Sequence, residues 1–177
     1  MLDLWLIRHA ESIGNLDGTA ADTGLSFSGR TQAQALGARL SAESFAEVLC
    51  SPLRRAQETA ALALPLVPRT SVDVLRELES SRAPTFLDPT DSAVLAALLA
   101  APLDSTESGP AFMNRVTHWL QGLPPEGTVL AITHFAVIRE VLARLFGFRH
   151  APQSIGFTAI FRVSVALTVA MLSCGMT

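Results

Sequence analysis

The chain has no lysine and no tyrosine among its 177 residues. A Walker-type lysine, a Schiff-base lysine and a tyrosine nucleophile are thereby excluded. All 13 cationic side chains are arginines, so any bound phosphate must be held by Arg, His and backbone groups. The two cysteines, Cys50 and Cys174, are too few for a disulfide framework. Cys50 stands in an apolar run where a thiol packs as a small hydrophobe, and a reducing cytoplasm is the expected compartment. Charged residues make up only 16% and the net charge is −3, which argues against general nucleic-acid binding and favours a small anionic substrate in a local cationic pocket. No His-x-x-x-His, paired-cysteine, Asp-x-Asp or Gly-rich nucleotide pattern occurs, so neither a metal nor a cofactor is expected. The opening residues do not form a secretory leader. The apolar stretch from Ile160 to Met176 is broken by Arg162 and two serines, and is expected to form a terminal β-hairpin, with no membrane partner. Composition leaves the oligomeric state open.

What remains is a chain with 49% hydrophobic residues, no repeat and no low-complexity run, consistent with residues 1–177 as a single domain that buries its core without crosslinks. Its most informative stretch is Leu4-Trp5-Leu6-Ile7 followed by Arg8-His9-Ala10-Glu11-Ser12. A short apolar run of this kind reads as a buried strand, and strands in α/β domains present functional side chains at their carboxyl ends. Two further runs share the layout. Val48-Leu49-Cys50 leads into Ser51-Pro52-Leu53-Arg54-Arg55, and Val129-Leu130-Ala131-Ile132 leads into Thr133-His134. Three strand ends thus offer Arg8, His9, Arg55 and His134 to one edge of a sheet. Guanidiniums bind phosphate bidentately, and an imidazole serves as nucleophile, proton carrier or ligand, so the set points to a phosphate site.

Between these strands the pattern predicts a loop from about His9 to Leu25, then a helix capped by Ser26 or Ser28 with Ala33, Leu36, Ala38 and Leu40 on its apolar side. Ser51 is expected as N-cap and Pro52 as first residue of a helix running to Leu62 or Ala63, with Arg54 and Arg55 in its first turn. Alternation from Thr70 to Leu75 predicts a third strand just ahead of Glu77. A looser stretch from Ser80 to Thr90 precedes a helix capped near Thr90 or Asp91. Helices are further expected from about Gly109 to Leu123, with Phe112, Val116, Trp119 and Leu120 in the core, and after His134 to Phe146, closed by Gly147. His118 falls within a core-facing helix pattern and His150 in a loop, so neither joins the set. Alternating strands and helices predict an α/β three-layer sandwich with a mostly parallel central sheet.

In these segments the chain resembles the histidine phosphatase superfamily, also called phosphoglycerate mutase-like. Arg8-His9-Ala10-Glu11, with Asn15 following, stands where the family carries Arg-His-Gly-Glu. Leu25-Ser26-Phe27-Ser28-Gly29-Arg30-Thr31-Gln32-Ala33 is similar to its Leu-Thr-x-x-Gly-x-x-Gln-Ala. Ser51 to Ala60 meets Ser-x-Leu-x-Arg-Ala-x-x-Thr-Ala, Glu77 matches the Leu-x-Glu acid, and His134 the late histidine. The resemblance spans nearly the whole chain, in the family's order. Three departures stand out: Ala10 replaces a glycine, Phe135 replaces a small residue, and Leu78-Glu79-Ser80-Ser81-Arg82 follows Glu77 in place of the family's glycine and Trp-Glu-Gly.

The resemblance implies a phosphohistidine on His9, with Arg8, Arg55 and His134 on the phosphoryl oxygens, Asn15 as a further phosphate contact, and Glu77 as general acid and then general base. Glu79 and Glu11 are the reserve acids. Hydrolysis of a phosphorylated small molecule or phosphoprotein is the expected activity. The shortness of the segment from Glu77 to His134 stands against a phosphoglycerate mutase-type phosphotransferase. A non-catalytic anion-binding protein that keeps the fold is the other alternative, suggested by Ala10 and Phe135 and opposed by retention of every charged catalytic position. The substrate is left open among sugar phosphates, α-ribazole phosphate and phosphoproteins.

Overall fold

The computed structural model describes residues 1–18, 21–77, 109–147, 152 and 154–166. In chain order these form β1 (Leu2–Arg8), α1 (Ile13–Asp17), α2 (Phe27–Leu40), β2 (Glu47–Cys50), α3 (Arg54–Ala63), β3 (Thr70–Ser71), a 3₁₀ turn (Asp73–Leu75), α4 (Gly109–Gln121), β4 (Gly127–Thr133), α5 (Phe135–Phe146) and β5 (Ile160–Val165). Glu79, His150, Cys174, the stretch from Ser80 to Thr90, the helix expected after it, and the second arm of the C-terminal hairpin lie outside the described residues.

The five strands form one sheet in the order β3-β2-β4-β1-β5. Pairing is parallel throughout except between β1 and β5. Strand alternation divides the apolar side chains between two cores, one on each face of the sheet. Leu2, Leu4 and Leu6 of β1, Leu49 of β2, and Val129 and Ala131 of β4 pack with Phe112, Val116, Trp119 and Leu120 of α4 and with α5. Trp5, Ile7, Val48, Cys50, Leu130 and Ile132 face the other way, onto Leu36 and Leu40 of α2 and Ala56, Ala60 and Ala63 of α3. The result is a mixed α/β sandwich with helices on both faces. Helices α2 and α3 close tightly at Gly37, where a Cβ would stand 2.6 Å from the Ala63 carbonyl oxygen. No described helix is long and apolar enough to cross a membrane.

Several local expectations give way to tertiary contacts. The third strand shrinks to Thr70–Ser71 at the sheet edge. Beyond it, Val72 N–H still donates to the Cys50 carbonyl, and then Leu75 N–H and Arg76 N–H close a turn on Val72 and Asp73, which buries Leu75 completely. Ala38 is exposed, so the buried side of α2 is narrower than expected, with Gly29, Ala33, Leu36 and Leu40. The loop after His9 contains α1, started by a Ser12–Asn15 capping box. Helix α3 begins at Arg54 with Leu53 as N-cap and no side-chain cap, so Ser51 is not the cap.

Candidate active site

The register of the three central strands assembles the site. Arg8 pairs with Thr133 and Cys50 with Ile132, so β1, β4 and β2 end side by side at their carboxyl edge. The ladder continues one step further: His9 N–H donates to the Thr133 carbonyl and Ser51 N–H to the Ile132 carbonyl, each at 2.9 Å. His9, Ser51 and His134 therefore leave the sheet together, all buried. The imidazole centroids of His9 and His134 are 5.0 Å apart.

His9 is oriented from both ring nitrogens. Nδ1 lies 2.7 Å from the Ala10 carbonyl oxygen, which can only accept, so Nδ1 carries the hydrogen. Nε2 therefore holds a lone pair, and Arg55 Nε donates to it at 3.3 Å. Burial first, then the Arg55 and Arg8 guanidiniums, hold His9 well below its ordinary value of 6.5, outweighing the Ala10 hydrogen bond that favours the cation. His134 is held well below the same value by burial, then by Arg55, His9, Arg8 and Arg115. Both imidazoles are neutral at pH 7. Burial also lowers Arg55, against the raising influence of Glu77 and Asp22.

Arg8 is fixed by a segment distant in sequence. Its Nη1 donates to the Ile155 carbonyl, and its guanidinium lies over the Phe157 ring, 4.3 Å from the centroid. The same ring is 5.9 Å from the His9 ring. Thr158 takes a left-handed φ of 54°, and its N–H donates to the Arg8 carbonyl at 3.1 Å. On the other side, buried Thr59 joins the strand end to α3: it accepts from Ala10 N–H at 3.0 Å and donates to the Arg55 carbonyl at 2.7 Å.

Glu77 reaches the site through a braced segment. Thr133 Oγ1 donates to the Leu75 carbonyl at 2.7 Å, and Arg115 Nη1 of α4 donates to the carbonyls of Val74 and Arg76 at 2.5 and 3.1 Å. The Glu77 carboxylate stands 3.7 Å from His134 Nδ1 with about a quarter of its side chain (26%) exposed. Glu11 is turned elsewhere: its carboxylate accepts from Ser26 Oγ at 2.6 Å, and its N–H donates to Gln32, locking it to the start of α2. Asn15 Oδ1 accepts from Ser12 N–H at 3.0 Å within the capping box. Arg54 pairs with Glu58 at 2.8 Å, away from the histidines. Ala10 and Phe135 are accommodated, since Ala10 has no positive φ and packs with Leu25 and Ala33 while Phe135 joins the core beneath α5. His118 is exposed on α4.

Four participants carried no local signal of their role. Ser51, Thr59 and Phe157 act on partners far along the chain, and Asp22 accepts the Arg54 N–H at 2.8 Å while lying 3.8 Å from Arg55 Nη1. Among the described residues no three of His, Cys, Asp and Glu cluster as a metal site would require. The arrangement can present a neutral imidazole lone pair to an electrophile held among Arg8, Arg55 and His134, with a carboxyl group alongside.

A mostly parallel sheet with helices on both faces and a histidine–arginine cluster at its carboxyl edge defines a phosphoglycerate mutase-like α/β fold, and the chain belongs to the histidine phosphatase superfamily (branch 1), whose model matches residues 4–158. Over 64 residues it is 52% identical to the adenosylcobalamin/alpha-ribazole phosphatase of Escherichia coli (strain K12). That match covers 34% of this chain and 32% of the relative's length. The fold is similar to the crystal structure of a phosphoglycerate mutase from Thermus thermophilus, with a TM-score of 0.73, 28% identity, and coverage of 91% of this chain and 92% of that one. It is also similar to a structure from Escherichia coli str. K-12 substr. MG1655 described as a candidate alpha-ribazole-5'-P phosphatase (TM-score 0.70, 33% identity, 82% and 80% covered).

Proposed function

We propose that the chain is a phosphomonoesterase that works through a covalent phosphohistidine on His9. The observation that carries this reading is the state of the His9 ring: Nδ1–H is committed to the Ala10 carbonyl and the Nε2 lone pair faces the Arg55 guanidinium. A neutral imidazole so held is a nucleophile ready at neutral pH. Its Nε2 lone pair attacks phosphorus, the ester P–O bond breaks, and the leaving oxygen takes a proton from Glu77. Arg8, Arg55 and His134 hold the non-bridging oxygens as charge moves across them. Water then attacks phosphorus, Glu77 takes its proton, and cleavage of the N–P bond returns the lone pair to Nε2. No metal enters this scheme.

The Escherichia coli relatives support a phosphatase over a mutase and put α-ribazole 5'-phosphate at the head of a substrate panel. The test is direct. Purified protein given an aryl phosphate in the presence of a chelator is expected to release inorganic phosphate, and His9→Ala to abolish the release. Brief exposure to labelled substrate is expected to leave acid-labile, base-stable label on the wild type alone. Undiminished turnover by His9→Ala, or an acid-stable adduct, overturns the nucleophile; label passed to an added acceptor alcohol in preference to water overturns hydrolysis.

A further inference from the structure

We propose that Ser51 sets the tautomer of His134, donating its hydroxyl hydrogen to Nε2 so that the ring carries its own hydrogen on Nδ1. The serine is released for this task because α3 starts two residues late and leaves it uninvolved in capping. Its Oγ is completely buried and lies 2.7 Å from His134 Nε2. Leu53 N–H already donates to that oxygen at 3.3 Å. With the Leu53 N–H on one of its two lone pairs, the hydroxyl keeps one lone pair and its hydrogen for the ring nitrogen, and the far edge of the ring decides between them. On the opposite edge, the Glu77 carboxylate 3.7 Å from Nδ1 favours a nitrogen that bears hydrogen. The reverse tautomer would turn a bare Nδ1 lone pair toward that carboxylate oxygen.

His134 then matches His9, where Nδ1 bears the hydrogen and Nε2 receives one. The consequence rests on the phosphoryl-transfer reading above. A ring that already carries hydrogen on Nδ1 donates to a phosphoryl oxygen, and cannot draw from Glu77 the proton meant for the leaving group. Ser51 is accordingly a positioning residue, acting through His134 without touching substrate.

Histidine-labelled full-length protein, without ligand at pH 7.5, provides the measurement through long-range ¹H–¹⁵N correlation of its imidazole nitrogens. Wild-type His134 is expected to show a pyrrole-type Nδ1 and a pyridine-type Nε2. Ser51→Ala is expected to move both shifts toward the averaged values of mixed tautomers, with roughly a tenfold loss of kcat on an aryl phosphate. Ser51→Thr, which keeps the hydroxyl, is expected to restore the wild-type pattern. A pyrrole-type Nε2 in the wild type overturns the proposal even if no variant folds, and an unchanged pattern in Ser51→Ala does the same. Because the spectrum needs no turnover, the expected tautomer in a protein inert toward phosphate esters would uphold the role of Ser51 and overturn the phosphatase.

Discussion

In the proposed reaction Glu77 is the carboxyl group that serves the leaving oxygen, and its surroundings make that proposal measurable. It stands 3.7 Å from His134, its backbone braced by Thr133 and Arg115, whereas Glu11 is spent on Ser26 at the head of α2. Protonation of an alkoxide matters far more than protonation of a nitrophenolate, which leaves readily without help. Glu77→Gln is therefore expected to slow hydrolysis of alkyl phosphates by about 10²-fold to 10⁴-fold and that of nitrophenyl phosphate much less, as general acid catalysis requires. Steady-state rates on the two substrates check it; an equal small loss on both assigns the proton to another group.

Among the elements, α2 is tied to the strand end that bears His9 through a close backbone approach. A Cβ on Gly29 would stand 1.9 Å from the carbonyl oxygen of Glu11, two residues beyond His9, and no side-chain motion relieves a clash with backbone. Gly29→Ala is expected to cost about 1–3 kcal/mol in urea unfolding, the usual range for overpacking, and to weaken inorganic phosphate binding by calorimetry as the strand end shifts. Strands β1 and β4 were readable in the sequence because they are buried on both faces and appear as unbroken apolar runs. The end of α5 was legible for a different local reason, the glycine at position 147 that closes it. Arg8, His9, Arg55 and His134 could be grouped because each follows such a run. Ser51 could not be placed, since its preference for a helix start is local while the histidine that claims it lies 83 residues away. Thr59, whose Ala10 partner is 49 residues away, left no trace beyond its place in a motif. In the short strand Thr70–Ser71, alternation alone could not reveal that the chain would turn at Asp73 to bury Leu75.

For the molecule as a whole, two neutral buried histidines couple stability to pH. Both sit well below 6.5 in the folded chain and near that value when unfolded. Above 6.5 neither state binds the proton, so they contribute no pH dependence there. As pH falls below 6.5 the unfolded chain takes up protons that the native state refuses, and stability declines by up to about 1.4 kcal/mol per histidine per pH unit until the folded pKa values are reached. Thermal or urea unfolding between about pH 7 and pH 5 is expected to show this fall. The slope should be smaller in His9→Asn, and added phosphate should offset the fall by binding the native state. A flat profile for the wild type would show that the imidazoles are charged or hydrated in solution.

The clasp on Arg8 also bears on when the site comes into being. During synthesis from the N-terminus, a nascent chain that has emerged through His134 already holds both histidines and Arg55, yet Arg8 still lacks the Ile155 carbonyl, 147 residues downstream of it, and the Phe157 ring. Edge strand β5, which pairs with β1 from Ile160 to Val165, follows later still. On the proposed reading, a nascent chain made only as far as His134 carries the nucleophile without the contacts that fix the Arg8 guanidinium, so the site is completed only after Phe157 has been added.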